Sequence, residues 1–361
     1  MILAVGRVPV VLLVVGIVVG LVIGFGVSAV VPTDSIEVHP EFQALKSELE
    51  GANFQLSNAR VFYTCCPDIA RAAAEHGITL TPYDGLIYDA HIHPGFYGSI
   101  ENVILALDEA GISKAVLIGG VDFGILPAEI AQQAPDRVIL WSTWSLPLVI
   151  GPQLDRPVDE VRAELESGVF KGIGEVGAQV ELSGAPVDAL LQPADPQSPN
   201  RADDPRVLAI ADLAAEMGVP MTVHSDNVQQ LEGLLAHNRG AKVIWSHAGQ
   251  ERDQYPSEGY ITPSEYRQLF ERHPNLYADL SGAPLVIPPG HPASLVNQDG
   301  TINPQWKQLF EDFPDRFLVG SEVDPDKTKD AITFFRYVLG QLDSDVAERI
   351  AYKNLEEMIA S

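Results

Sequence analysis

The sequence is poor in cysteine, in basic residues and in any glycine-rich phosphate loop, and each shortage removes a class of protein. Its two cysteines, Cys65 and Cys66, are neighbours, so they cannot supply the disulfide framework of a small secreted scaffold, and a bridge between them would be strained. They read as packing residues ahead of Pro67, which suits the first turn of a helix that runs to His76 and stops at Gly77. Lys and Arg together number 23 against 49 Asp and Glu, a formal net charge of -26. That field repels nucleic-acid backbones and anionic lipid, which argues against a nucleic-acid partner and against phosphate binding. No tandem repeat is visible beyond the alternation described below.

Hydrophobic residues are plentiful, at 46% of 361 residues, enough for one large core or two ordinary ones. Residues 8–31, VPVVLLVVGIVVGLVIGFGVSAVV, carry no charge and are long enough to cross a bilayer as a helix. The run exceeds the roughly 7 to 15 apolar residues of a signal-peptide core, so residues 1–31 are expected to form an uncleaved anchor. Arg7 precedes the run while Asp34 and Glu37 follow it, which would keep the N-terminus cytoplasmic and place the rest outside as a single-pass membrane protein. A secretory signal cleaved near Val27-Ser28-Ala29 is the competing reading. Residues 32–84 then read as a stalk and N-terminal helices, with Phe42, Leu45 and Leu49 at helical spacing.

From residue 85 the pattern changes. Short β-branched runs alternate with helical stretches: LIYDAHIH, KAVLIGG, RVILWSTW, FKGIGEVG, PMTVHSD, AKVIWSHAG, NLYADLSG and RFLVGSEVD. Eight such strands with helices between them, for example over 99–109, 157–166, 205–217, 228–237 and 263–272, predict an α/β protein folded as a (β/α)8 barrel over 85–361. A doubly wound open sheet is the rival, but DAHIHPGF after the first strand is not the glycine-rich phosphate loop that fold usually carries. Two long loops, 183–204 and 283–303, would overhang the barrel mouth as lids or sit there as passive decoration.

In YDAHIHP, His91 and His93 are two apart, and a strand sends such residues to one face. That is chelating geometry, although an isolated pair of this kind is as often structural. The rest of the chain breaks the tie. Glu175 ends the fourth strand, His224 the fifth, His247 the sixth, and Glu322 or Asp324 the eighth. In a barrel, sequence-distant residues converge at the C-terminal rim, where active sites gather. The other histidines form the background, with His76, His237 and His273 at helix ends and His39 in the stalk.

From about residue 86 to its end the chain resembles the metal-dependent amidohydrolase superfamily, particularly the amidohydrolase-2 branch, with features of the TatD-like hydrolases. The motifs are DAHIHP, GEVG, TVHSD, WSHAG, GSEVDP and the closing IAYKNLEEMI. The resemblance implies a distorted TIM barrel holding one or two divalent metals, commonly zinc. Carried onto this chain, it implies that His91 and His93 bind one ion with the strand-eight acid. His224 and His247 would bind a second, or His224 would ligate while His247 contacts substrate or water. Glu175 matches a strand-four carboxylate that bridges metals in the TatD-like group; other branches use a carboxylated lysine, and Lys171 lies four residues earlier. Family members end strand eight with Gly-Ser-Asp, whereas this chain has Gly320-Ser321-Glu322 with Asp324 two residues on, so either acid is a candidate ligand and general base. Asp89 and Asp279 read as residues that orient ligands or as core acceptors, and Trp141 and Trp144 as pocket lining or, more commonly, core.

The function expected is a membrane-anchored, metal-dependent hydrolase of a small amide, ester or lactone, with Glu322, Asp324 and His247 as catalytic groups. A non-oxidative decarboxylase of the same branch is the alternative, favoured by a basic residue such as Arg252 reaching the mouth. A non-catalytic binding domain is the third reading, supported by the change at Glu322. The partner expected is a small-molecule substrate, and the sequence is compatible with a homo-oligomer.

Overall fold

The computed structural model describes residues 66–118, 133–146, 154–178, 202–225, 227–249, 260–282, 285, 287–323 and 325–360. The expected anchor over 8–31, the stalk, most of the loop at 183–204, Arg252 and Asp324 lie outside these residues. Among the described residues no helix is long and apolar enough to cross a membrane. The expectation of a single-pass membrane protein is therefore corrected: it rested on hydropathy alone, and no described element supports it.

Eight parallel strands form one sheet whose spatial order is their chain order: β1 (Tyr88–Ile92), β2 (Lys114–Ile118), β3 (Val138–Ser142), β4 (Phe170–Ala178), β5 (Pro220–Ser225), β6 (Lys242–Trp245), β7 (Leu276–Asp279) and β8 (Phe317–Leu318). An open doubly wound sheet would interleave its strands, so the sequential order rules out that rival. The seam between first and last strands is joined by Ala90 N–H donating to Val319 O at 2.8 Å and Glu322 N–H donating to His91 O at 3.0 Å. Every residue of β1 and β3 is buried, as expected for parallel strands covered on both faces, which explains the apolar run of β3 and leaves Asp89 and His91 of β1 buried among apolar neighbours. A short antiparallel pair, Ser145–Leu146 with Leu154–Asp155, follows β3.

Helices fill the crossovers. After α1 (Ile69–Glu75) come α2 (Ile100–Ala110), α3 (Val158–Glu166), α4 (Pro205–Met217), α5 (Val228–His237), α6 (Pro263–Arg272), α7 (Pro304–Asp312) and α8 (Thr328–Leu339). Their starts are written in the sequence. Ser99 caps α2 by accepting from Asn102 N, and Asp204 with Pro205 opens α4. Thr262 and Glu265 form a reciprocal capping box at α6. The apolar stripe of α2, Ile100, Val103, Leu107 and Ala110, is buried in the main core with its counterparts on α4 to α8.

A second cluster fills the barrel itself: Tyr88, Ala90, Val116, Ile118, Ile139, Trp141, Ile244 and Leu318 pack with Leu355 and Met358. The last two belong to the C-terminal helix Asn354–Ala360, preceded by α-helical Ser344–Glu348 and a π turn, Arg349–Lys353. This helix meets the starts of the strands, with Tyr88 O–H donating to Glu356 and Lys242 Nζ reaching Met358 O, so it closes the end opposite the site. Trp141 and Trp144 are both buried in core clusters. The described part of the loop at 283–303 is packed rather than open: Leu285, Ile287, Ala293, Leu295 and Val296 are buried, and Trp306 Nε1 donates to Ala293 O at 2.9 Å. Cys66 packs against the main core and is disulfide-bonded.

Candidate metal centre at the C-terminal rim

Six side chains singled out in the sequence meet at the C-terminal rim. Ligand-capable atoms of His91, His93, Glu175 and Glu322 all lie within 4.8 Å of one another, as do those of Glu175, His224 and His247. A third group, His91, His247 and Asp279, overlaps both. Lys171, the alternative to Glu175, is exposed, because it sits near the start of β4 while Glu175 sits near its end.

The HIH pair behaves as alternation requires, even though the β1 register against β2 shifts between Asp89 and Ile92. His91 Nδ1 lies 3.2 Å from Asp279 Oδ2, and His93 Nδ1 lies 3.1 Å from the carbonyl oxygen of Ile118. Both partners are pure acceptors, so each ring carries its proton on Nδ1, and in the neutral ring Nε2 is a bare lone pair. The two Nε2 atoms are 3.2 Å apart. Two lone pairs at that separation repel unless a positive charge, a proton or a cation, lies between or beside them. Anchored Nδ1 atoms with converging Nε2 atoms are what a metal-binding imidazole pair requires.

Glu175 faces both halves of the cluster. Its Oε2 lies 3.7 Å from His91 Nε2 and 3.5 Å from His93 Nε2, while its Oε1 lies 3.3 Å from His224 Nδ1 and 3.5 Å from His247 Nε2. The peptide joining Gly174 to Glu175 is cis. Glu322 spans the other side, with Oε1 3.3 Å from His93 Nε2 and Oε2 3.5 Å from His91 Nε2 and 2.9 Å from His247 Nδ1.

His247, at φ 56°, and Glu322, at φ 39°, occupy the left-handed region, which for residues with a Cβ costs roughly 1 kcal/mol or more. Each is held there by a backbone bond into the site. His247 N–H donates to Asp279 Oδ1 at 3.1 Å, and Glu322 N–H to His91 O. Gly320 allows the close approach, since a Cβ there would come within 2.9 Å of the Ser281 Cβ and 3.2 Å of the His91 Cβ.

Electrostatics follow from burial against charge. Burial disfavours the His91 cation, but Glu322, Glu175 and Asp279 outweigh it and hold its pKa well above the ordinary histidine value. His93, opposed by burial and supported by hydrogen bonds to Glu175 and Glu322, is pushed up to about 9. Burial pushes Glu175 and Glu322 upward, yet the surrounding imidazoles win and both lie well below the usual carboxylate range. The carboxylates thus call for positive charge among the rings. Asp89, buried and accepting from His91 N and Ser321 N at 3.0 Å each, rises to about 6 through desolvation.

Imidazole nitrogens and carboxylate oxygens are a donor set suited to zinc, manganese or iron, and the facing Nε2 pair fits a cation without rearrangement of the anchored rings. The side chains of His93, Glu175, His224 and Glu322 keep 20%, 14%, 12% and 14% of their exposure while His91 has none, so among the described residues the cluster is partly open to solvent, with His91 at its buried side. Asp89 accepts from the backbone of His91 and Ser321, and Asp279 from the His91 ring and the His247 backbone. Sequence reasoning missed Ser281, whose hydroxyl donates to Asp279 Oδ1 and lies 3.3 Å from His91 Nδ1 and 3.2 Å from His247 Nδ1. It lies two residues past Asp279, just beyond the end of β7.

A family model described as Amidohydrolase matches residues 105–358, a stretch that begins after the HIH pair. No curated protein matches the sequence. Similar solved structures include a probable 2-pyrone-4,6-dicarboxylic acid hydrolase from Acinetobacter baumannii, 14% identical over 77% of this chain and 100% of that one, with a TM-score of 0.46. A 2,6-dihydroxybenzoate decarboxylase from Rhizobium is 14% identical over 76% and 98%, with a TM-score of 0.47. An amidohydrolase from Burkholderia multivorans with bound zinc is 12% identical over 76% and 99%, with a TM-score of 0.41. With the family model covering most of the barrel and a ligand-capable cluster at its rim, the chain belongs to the amidohydrolase family, in its amidohydrolase-2 branch, and is a metal-dependent enzyme of the hydrolase type.

Proposed function

We propose that this enzyme hydrolyses a small amide, ester or lactone with zinc as its metal. The observation that carries the reading is the pair of anchored imidazoles, His91 and His93, whose Nε2 atoms face each other and two carboxylates. In this reading His91, His93 and Glu322 would hold one ion. His224 and His247 would hold a second, or His224 would ligate while His247 contacts substrate or water, and Glu175 has one oxygen toward each pair. When bound, the metal polarises the scissile carbonyl and makes water a nucleophile near neutral pH.

The remaining work falls to the chain. Glu322, beside His247 Nδ1 at 2.9 Å, accepts the proton of the attacking water, and the imidazole stabilises the carboxylate while it waits. The same group returns the proton to the leaving atom. Asp324 shares this assignment by its place in the sequence. The buried ring of His91 and the closed bottom of the barrel restrict water to the open side.

Decarboxylation is the other chemistry of this branch, and it consumes no bulk water. The test is metal content and turnover of the full-length chain beside its His91→Ala/His93→Ala variant. Stoichiometric metal lost in the double variant, with hydrolysis of an ester, amide or lactone panel, supports the proposal. Release of CO2 from unsaturated or aromatic acids, with the panel untouched, replaces hydrolysis by decarboxylation. A folded wild type that takes up no metal after reloading overturns the reading.

A further inference from the structure

Ser281 is wholly buried and touches more of the centre than any ligand candidate explains. Its hydroxyl lies within hydrogen-bond reach of Asp279 Oδ1, His247 Nδ1 at 3.2 Å, His91 Nδ1 at 3.3 Å and Glu322 Oε2 at 3.5 Å. A hydroxyl has one proton to give and two lone pairs to offer. The carboxylate of Asp279 can only accept, and its contact with Ser281 is the shortest of the four, so the hydroxyl proton goes there. What remains on Ser281 Oγ can only accept. Both neighbouring ring nitrogens must then be N–H donors.

We propose that Ser281 is a positioning residue that locks His91 and His247 together with their protons on Nδ1, turning both Nε2 atoms toward Glu175 and the metal. The inference rests on the proposed metal reading for its purpose and on the hydrogen-bond geometry for its substance. Each ring has a second Nδ1 acceptor, Asp279 Oδ2 for His91 and Glu322 Oε2 for His247. Among the described residues Ser281 joins the two rings through one atom. The stacking of His91 and His247, with ring centroids 5.3 Å apart at 29°, places both Nδ1 atoms beside that shared acceptor. Asp279 Oδ2 and Glu322 Oε2 still favour a proton on each Nδ1 when the hydroxyl is removed, but the acceptor that ties the orientations of the two rings to each other is lost and each ring gains freedom to turn.

The test uses the full-length chain and two variants. Ser281→Ala deletes the hydroxyl, and Ser281→Cys keeps the volume with a much weaker hydrogen-bonding group. The first readout is the imidazole proton spectrum of 15N-histidine-labelled, metal-free protein. Wild type is expected to show slowly exchanging Nδ1–H resonances for His91 and His247, and both variants are expected to show both resonances shifted and exchanging faster, the remaining carboxylate acceptors keeping part of the protection. The second readout is zinc affinity by chelator competition, which should weaken roughly 10-fold or more in both variants, while the unfolding midpoint of the metal-free protein changes little in Ser281→Cys. Nδ1–H resonances unchanged in the variants overturn the proposal, and so does a zinc dissociation constant within twofold of wild type. Should wild type bind no zinc, the metal reading fails by itself, and the resonances alone still decide whether Ser281 holds the two rings.

Discussion

Glu322 Oε2 lies 2.9 Å from His247 Nδ1, so the acid that ends the eighth strand is paired with the histidine that ends the sixth. The glutamate uses its extra methylene to reach that ring while its other oxygen stays 3.3 Å from His93 Nε2. Glu322→Asp, which restores the residue usual in the family, is therefore expected to impair this enzyme: kcat/KM on the substrate the wild type hydrolyses should fall about 10-fold, because the shortened carboxylate withdraws from His247. Glu322→Gln keeps the length and removes the proton acceptor, so kcat should fall roughly 100-fold to 10,000-fold. Equal activity of the glutamine variant and wild type would remove Glu322 from the chemistry.

The pH dependence of the metal-free protein has a definite sign. His93 is raised from 6.5 to about 9 in the folded state, so the folded chain holds a proton that the unfolded chain releases earlier. Its contribution is fully present below about pH 6.5 and is lost as pH rises through about 9, on the order of 3 kcal/mol for this single group. His91 is displaced in the same direction. Urea denaturation of chelator-treated protein should give a lower midpoint at about pH 9.5 than at about pH 6. A midpoint that climbs across this window would mean the imidazoles are not charged in the metal-free fold.

Asp279 accepts from His91 Nδ1, His247 N, Ser281 N and Ser281 Oγ. Asp279→Ala leaves four buried donors without their acceptor, and the metal-free protein should lose about 3 kcal/mol or more of stability by chemical denaturation. Asp279→Asn keeps the shape and part of the accepting capacity, and it should cost less stability than alanine while still weakening metal binding. A loss confined to metal affinity, with stability intact in both variants, would show that the network is not structural.

Gly340 lies against the backbone at Thr81 and Tyr83, where an added Cβ would overlap Thr81 O. Arg336 clamps the same stretch by donating to Tyr83 O and Gly85 O. Gly340→Ala should push residues 81–83 off the barrel and destabilise the chain by about 1 to 3 kcal/mol, seen as a lower unfolding midpoint and faster proteolysis of that segment.

The barrel was legible because its strands are largely buried and so read as short β-branched, mostly apolar runs followed by polar residues. The convergence of His91, His93, Glu175, His224, His247 and Glu322 was legible for a related reason: strand ends in this topology share one rim. The short pair after β3, Ser145–Leu146 with Leu154–Asp155, left no trace, since two-residue strands carry no periodicity. Ser281 was hidden because a serine two residues past an aspartate is ordinary until Gly320 brings the first and last strands against it. The loop after β7 read from its prolines as either a lid or passive decoration, and its buried Leu295 and Val296 tie it into the core. The membrane expectation came from the one apolar run that no described element continues.

The seam between the first and last strands also dictates when the site can exist. Ser321 N–H reaches Asp89 Oδ1 across 232 residues of chain, beside the bonds from Ala90 N–H to Val319 O and from Glu322 N–H to His91 O. Contacts of such sequence separation carry the largest loop-closure entropy and form late. Because these bonds set the backbone of His91 and Glu322 themselves, a chain still emerging from the ribosome, or one with its last strand undocked, possesses the histidines but no centre. Assembly of the chelating cluster is thus a checkpoint on completion of the fold, and an unfinished molecule cannot capture a metal in the geometry of the finished one.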